Sequence, residues 1–170
     1  MQIVYLSAPI TFMVCFAIWF VIQLGAALLC LKIPDRWLTP DSFLFRIHFW
    51  ERKGLYRALR VHRWKHLLPD GGAVVKGGYR KKKMTDYSVE NMERFVVESC
   101  RAELTHLIAI LPFWIFGLVG PPPIIVYMLI YALIVNLPCI IAQRYNRPRV
   151  MALISQMKAR KDGGLDCTNG

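Results

Sequence analysis

Charge is missing from two long stretches of this chain. Residues 1–31 and 104–143 contain no Lys, Arg, Asp or Glu, and His106 is the one histidine within them. All 22 basic and 11 acidic residues of the 170-residue chain therefore fall within 32–103 and 144–166. A charged side chain at a helix centre in hydrocarbon costs about 2.5–3.5 kcal/mol on insertion scales. The partition is therefore typical of an integral membrane protein.

The chain also lacks the cysteine spacing of a metal or redox site. Its five cysteines form no C-x-x-C pair, and three of them (Cys15, Cys30 and Cys139) lie in the uncharged stretches. We expect neither disulfides nor a bound metal. A net charge of +11 is also typical of proteins that bind nucleic acid. No recognition fold accompanies the charge here, and a bilayer explains it. We therefore expect no nucleic-acid partner.

The uncharged stretches predict about three membrane segments, because a spanning helix needs about 20 apolar residues. Residues 1–31 suffice for one span. The glycine and proline run 120–123 divides the second stretch into a hairpin of 104–118 and 124–142. Segment 104–118 is short and contains Pro112, which leaves open whether it crosses the bilayer or re-enters.

The predicted fold class is an all-α integral membrane protein with one N-terminal span, a hairpin and a basic cytoplasmic interfacial loop. It forms a single domain over residues 1–170, with the loop at 32–103 and a tail at 143–170. With three spans, every Lys and Arg lies on one face, which the positive-inside rule makes cytoplasmic. No basic residue precedes the first apolar run, so we expect an uncleaved span rather than a secretory signal.

Two patterns predict helices in the loop. Aromatic and basic residues mix over 42–61, which favours a helix lying in the headgroup plane over one packed on protein. From about Ser88, apolar residues recur every three or four positions as far as Leu104. That recurrence predicts a helix leading directly into the second span.

The first of three candidate clusters contains His66 and Asp70. A carboxylate near an imidazole can fix its tautomer and stabilise its protonated form, which gives a general base. The spacing alone is weak evidence. An interfacial histidine followed by a turn at Pro69 and Asp70 explains the same residues equally well.

The second cluster contains Glu103 and His106. These residues stand at i and i+3, where helical side chains can meet. His106 lies at the mouth of a span, and ionisable groups there are functional candidates. The alternative is an ion pair that anchors a helix end.

The third cluster follows Asn136, whose amide lies within a predicted span and needs hydrogen-bond partners. Beyond it, arginines mix with tyrosine and amide side chains in the segment Gln143-Arg144-Tyr145-Asn146-Arg147-Pro148-Arg149. Arginines after a span usually stop transfer, but guanidinium groups also bind phosphate and carboxylate. The polar residues among them exceed what an electrostatic anchor requires.

These clusters resemble a known family, the glycosyl-diaponeurosporenoate acyltransferases of staphyloxanthin-type carotenoid synthesis. The shared pieces, in order, are Ile33-Pro34-Asp35, Trp64-Lys65-His66 with Asp70-Gly71, Glu98 with Arg101-Ala102-Glu103 and His106, Ile110-Leu111-Pro112, and Asn136-x-Pro138 through Arg149. They cover most of the chain from the first span. The loop 74–87 and the tail after Lys158 lack the resemblance.

The resemblance implies transfer of a fatty acyl group from a thioester to a hydroxyl, with a sugar hydroxyl of a glycosylated isoprenoid or other lipid as the expected acceptor. Acyl-CoA or acyl-carrier-protein is the expected donor, and no bound cofactor is expected. The chemistry would lie at the cytoplasmic face of a bacterial inner membrane.

The resemblance does not fix the catalytic residues, so the expected roles come from the three clusters. His66 with Asp70 is the first candidate base, and His106 with Glu103 is the rival. Arg101 or Arg144 would stabilise the oxyanion. The remaining expected substrate-binding residues are Asn136, Tyr145, Asn146, Arg147 and Arg149, of which the last two arginines would hold donor phosphates.

Two alternatives to acyl transfer stay open on the sequence. One is a non-catalytic module that binds lipid or escorts a partner enzyme. The other is a small membrane methyltransferase with an arginine-rich cofactor site. The acceptor, the acyl length and the oligomeric state also stay open.

Overall fold

Three long helices organise the chain. The computed structural model describes residues 2–48, 51, 54–68 and 88–166. The helices are α1 (Ala8–Leu31), α2 (Leu55–Ala58), α3 (Val61–Trp64), α4 (Val89–Ile110) and α5 (Pro123–Asp166), with 3-10 turns at Asp35–Trp37, Lys65–Leu67 and Leu111–Leu118. Helix α1, α4 with the following 3-10 turn, and α5 are each long and apolar enough to span a membrane. The prediction of an all-α protein with three membrane-type helices, one of them near the N-terminus, is confirmed.

Helix α4 begins where the apolar periodicity predicted. Ser88 is its N-cap, and the Ser88 hydroxyl oxygen accepts from the Asn91 amide at 3.4 Å. At Pro112 the backbone leaves helical geometry (φ −83°, ψ 21°), and the chain continues as a 3-10 turn to Leu118. Proline at this point removes an amide donor and crowds the preceding turn, which explains the change of helix type.

The predicted hairpin is present, and close packing holds it shut. The 3-10 turn ends at Leu118 and α5 begins at Pro123. A Cβ on Gly117 would lie 2.5 Å from the Ile125 Cδ1 atom and 2.8 Å from its Cγ1 atom, so a larger residue would force the Ile125 side chain to shift. The Ile3 amide also donates to the Leu118 carbonyl at 2.9 Å and ties the N-terminal segment to the hairpin.

The three long helices share a small apolar core. Cys15 and Trp19 of α1 pack with Phe116 and with Ala132 of α5. The outer surfaces of α1 and α5 are also apolar, and Phe12 is 71% and Ile134 67% exposed. Apolar surface of this extent on α1 and on the uncharged part of α5 up to residue 143 is what contact with lipid requires.

The predicted continuous helix over 42–61 is wrong. Residues 41–46 form turns, and Gly54 and Arg60 adopt left-handed geometry before the short helices α2 and α3. The cause lies on α5, because the Leu44 and Phe45 carbonyls accept hydrogen bonds from Arg144 and Arg147. These contacts hold the segment 44–45 against α5, and the hydrogen bonds from the Phe45 and Arg46 amides to the Ser42 carbonyl close a turn there.

Helix α5 is longer than the predicted span at 124–142. It runs past that boundary into the basic segment and continues to Asp166. The helix contains Pro138 and Pro148 and remains one element through both. The span and the arginine-rich segment after it are therefore parts of one continuous helix, which fixes their relative positions.

Candidate functional site

Buried charges join α4 to α5. Arg144 Nε donates to Glu103 Oε1 at 2.7 Å, and Arg147 Nη2 donates to the other oxygen of the same carboxylate. The Glu103 and Arg147 side chains are each only 1% exposed. Two guanidinium groups thus share one carboxylate, which gives each buried charge a partner.

A second carboxylate completes this cluster. Glu51 accepts from Arg144 Nη1 and from the Tyr56 hydroxyl, and its side chain is 1% exposed. Two carboxylates and two guanidiniums therefore balance in charge. Burial, followed by the hydrogen bond to Glu51, raises the pKa of the Tyr56 hydroxyl, which therefore stays protonated as a donor. We call Glu51, Tyr56, Glu103, Arg144 and Arg147 the buried ion network.

Arg101 forms a separate clamp on the end of α1. Its Nη1 donates to the Cys30 carbonyl at 2.6 Å and to the Ile33 carbonyl at 2.8 Å, while Nη2 pairs with Asp35. A guanidinium here satisfies carbonyls that have no partner inside the helix and complements the helix dipole. The clamp brings Arg101 into contact with Ile33 and Asp35, which lie more than 60 positions away in the sequence.

A polar junction lies deeper, between the three long helices. The His106 Nδ1 atom is 2.8 Å from Asn136 Oδ1, and Gln23 Nε2 donates to the same oxygen at 3.2 Å. Asn136 is completely buried. Helices α1, α4 and α5 each contribute one of these residues, so the junction sits in the charge-free layer of the bundle.

A cationic patch lies farther along α5, around the Tyr145 ring. The Arg149 guanidinium carbon is 3.5 Å from the ring centroid and Lys65 Nζ is 4.9 Å from it. Lys65 Nζ also donates to Asn146 Oδ1 at 2.7 Å. Burial, followed by the positive charge of Arg149, lowers the pKa of Lys65. Two cations on one ring attract a shared anion, which would relieve their repulsion.

The histidines and carboxylates that were predicted to form one cluster lie at two different positions along the α5 axis, which we call levels. His66 is exposed on the 3-10 turn beside Lys65, and its predicted partner Asp70 lies outside the described residues. Glu103 is directed to the two arginines and His106 Nδ1 to Asn136, although their spacing allowed a direct pair. Lys65 contacts Asn146, ten residues beyond Asn136, so the levels lie about 15 Å apart along α5.

The arginines predicted to bind substrate also divide. Arg149 is exposed, whereas Arg147 is buried and donates to the Phe45 carbonyl at 2.9 Å. Arg101 and Arg144 likewise donate hydrogen bonds to carbonyls and carboxylates of the protein. Arg149 also donates one hydrogen bond to a carbonyl, from Nη1 to Tyr145 at 2.6 Å, but its side chain is exposed. This geometry argues against phosphate binding by Arg147 and favours Arg149, with Lys65, for that role.

Sequence reasoning missed Gln23, Glu51 and the contact of Lys65 with α5. Gln23 had a signal, since an amide side chain in an apolar run is costly unless it finds a partner. Glu51 had a weaker one as the one acidic residue between Asp41 and Asp70. The Lys65 contact joins residues 81 positions apart, and no local pattern encodes such a distance.

Comparison with known proteins decides the family. The family profile described as Glycosyl-4,4'-diaponeurosporenoate acyltransferase matches residues 34–156. The chain belongs to this family. Proteins of that name from Staphylococcus aureus strains MRSA252 and USA300 are each 34% identical over 148 residues, covering 86% of this chain and 89% of theirs. No solved structure matches.

Family membership makes the chain an acyltransferase. The predicted resemblance is confirmed, and the matched region contains the buried ion network, the cationic patch, His106 and Asn136. The alternatives of a non-catalytic escort and a methyltransferase lose their support, because neither carries the family's named activity.

The buried ion network predicts a large stability difference between two glutamates of α4. Glu103→Gln leaves Arg147 buried without its carboxylate and should destabilise the acyltransferase by about 3–5 kcal/mol. Glu93→Gln is the matched control, because Glu93 is 51% exposed and pairs with an exposed Lys158. Its loss should cost less than about 1 kcal/mol. Thermal unfolding in detergent measures both, and equal effects would contradict the network's structural role.

The cationic patch predicts unusual reactivity for Lys65. Its lowered pKa leaves more neutral amine at mildly alkaline pH, and neutral amine is the nucleophile. Arg149→Ala removes one cause of the shift and should slow acylation of Lys65 by an amine-reactive probe, read by peptide mass spectrometry. Arg160→Ala, an exposed arginine later on the same helix, should leave the rate unchanged. An unaltered rate in Arg149→Ala would refute the coupling.

Proposed function

We propose that this acyltransferase moves a fatty acyl group from an acyl thioester to a sugar hydroxyl of a glycosylated isoprenoid held in the membrane. The relatives are named for acylating glycosyl diaponeurosporenoate, and a glycosylated carotenoid is the acceptor we assign. The observation that carries the proposal is the placement of His106 at a polar junction between three membrane-type helices. An amphiphilic acceptor could present its head group there while its chain stays in lipid.

The reaction needs one base and one leaving thiolate. His106 takes the proton of the acceptor hydroxyl as its oxygen attacks the thioester carbonyl and forms the C–O bond. The C–S bond then breaks, and the proton passes from the imidazolium to the leaving sulfur. A positioned base of this kind typically contributes about 10²–10⁴-fold to the rate.

The structure favours His106 over His66 for this role. The His106 ring is held by a completely buried amide, and a held ring can keep one geometry through the reaction. His66 lies on an exposed turn. His66 follows Lys65 of the cationic patch, and its imidazole can assist donor binding there.

The cationic patch supplies the donor site in this proposal. Coenzyme A and the carrier-protein prosthetic group both carry phosphate at one end of a long flexible arm and the thioester at the other. Lys65 and Arg149 around Tyr145 would bind the phosphate. The separation of about 15 Å along α5 between this level and Asn136 suits a donor whose charged and reactive ends lie far apart.

The remaining arginines have framework roles. Arg144 and Arg147 hold the segment 44–45 against α5, and Arg101 holds the end of α1. We therefore assign all three to positioning the helices around the junction. Asn136 is likewise assigned to His106 rather than to substrate.

The proposed location is a bacterial cell membrane, with the donor approaching from the cytoplasm. Every basic residue lies in 32–103 and 144–166, which supports a cytoplasmic face for the cationic patch. A soluble thioester would reach the patch from that side. The acceptor would enter sideways from the bilayer.

Paired histidine variants test the assignment of the base. Purified protein in nanodiscs receives a labelled acyl thioester and a glycosylated isoprenoid, and ester formation is followed. His106→Gln should lower turnover by about 10²-fold or more while binding of the acceptor is kept. His66→Gln should alter the apparent KM for the donor more than turnover. Near-normal turnover in a folded His106→Gln protein would transfer the role to His66.

Cysteine labelling tests the orientation. Single cysteines replace Pro122 at the hairpin tip and Arg160 on α5, in a background without the native cysteines. An impermeant maleimide added to intact cells should label Pro122→Cys and leave Arg160→Cys unlabelled until the cells are opened. Labelling of Arg160→Cys in intact cells would place the donor site outside and contradict a cytosolic donor.

A further inference from the structure

The orientation of the Asn136 amide is fixed by its own helix. Asn136 Nδ2 lies 2.9 Å from the Ala132 carbonyl oxygen, which can only accept a hydrogen bond. The amide nitrogen must therefore face Ala132, and Oδ1 must face the other two helices. The contact with Gln23 agrees, since Gln23 Nε2 donates to that oxygen at 3.2 Å.

This orientation determines which His106 nitrogen carries the proton. Asn136 Oδ1 is an acceptor, so the His106 Nδ1 atom 2.8 Å away must be the donor. In a neutral imidazole with hydrogen on Nδ1, the basic lone pair is on Nε2. An imidazole in water has no such constraint, so the junction selects one tautomer.

We propose that Asn136 and Gln23 are positioning residues that hold His106 in its Nδ1–H tautomer. The inference rests on the proposed function in that the fixed tautomer presents Nε2 as the base for the acceptor hydroxyl. Asn136 sets the tautomer directly. Gln23 acts through Asn136, because its donated hydrogen bond holds Oδ1 toward the junction and opposes rotation of the amide.

Because its residues come from three helices, this arrangement depends on how the helices pack together. Gln23 is on α1, His106 on α4 and Asn136 on α5. The Nδ1–H tautomer is therefore secured by both amides only when all three helices are packed. A displaced α1 would remove the Gln23 contact while the His106–Asn136 contact could persist.

The tautomer can be measured without an activity assay. Protein labelled with ¹⁵N-histidine gives distinct nitrogen shifts for protonated and unprotonated ring atoms, and the His106→Gln spectrum identifies the His106 signals among the four histidines. The wild type should show hydrogen on Nδ1. Asn136→Leu, which keeps the branching of the side chain but removes the acceptor, should shift the population toward Nε2–H.

Turnover should follow the tautomer. Asn136→Leu should lower kcat by about 10-fold or more with little change in acceptor KM, because the wrong nitrogen is presented in the transition state. Gln23→Leu should have a smaller effect. The double variant should be no slower than Asn136→Leu alone, because Gln23 acts through Asn136.

The control is Thr105→Val. Thr105 adjoins His106, and its hydroxyl donates to the Arg101 carbonyl of its own helix at 3.0 Å. This substitution removes a neighbouring polar group without touching the junction, so tautomer and turnover should stay as in the wild type.

The outcomes separate this inference from the proposed function. A wild-type spectrum with hydrogen on Nε2, or an Asn136→Leu protein with unchanged tautomer and kcat, overturns the positioning role. Full turnover by His106→Gln instead overturns the assignment of the base, whatever the spectrum shows. If a variant proves poorly folded, the wild-type spectrum alone still decides the tautomer.

Discussion

One carboxylate shared by two arginines organises the polar half of this protein. Glu103 on α4 receives Arg144 and Arg147 from α5, in surroundings where an uncompensated charge would cost several kcal/mol. The arginines then reach beyond α5 and bind the Leu44 and Phe45 carbonyls. Helix pairing, the course of the loop and the level of the cationic patch all depend on this contact. The three-helix junction below it is held in register by the same pair of helices.

The large features of the fold could be predicted because hydrocarbon imposes strict rules on a sequence. Helices without charge, a glycine and proline hairpin, and a capped start at Ser88 each follow from local chemistry. The failed helix over 42–61 shows the limit of that reasoning. Its aromatic and basic pattern resembles an interfacial helix, but arginines about 100 residues away take its carbonyls.

The candidate site was predicted by residue type more reliably than by partner. Asn136, His106, Glu103 and the arginines were all selected because polar groups are costly at a membrane and need a reason to be there. Their pairing could not be read from spacing, since the spacing paired Glu103 with His106, whereas its partners Arg144 and Arg147 lie 41 and 44 positions away. Two guanidinium groups stabilise the Glu103 carboxylate more than one imidazole would. That both reach it becomes visible only in the folded structure.

The outward apolar faces of α1 and α5 bear on how such an enzyme would treat the length of its acyl chain. Side chains such as Phe20 and Tyr127 are 62% and 68% exposed, so a chain lying along them has protein on one side and lipid on the other. An open surface of this kind, unlike a closed pocket, does not limit the length of the acyl chain. Discrimination among chain lengths would come from how readily each donor leaves water for the bilayer, a property of the donor and the membrane more than of the protein. With the proposed thioester donor, the esters made in a cell would reflect which thioesters that cell supplies.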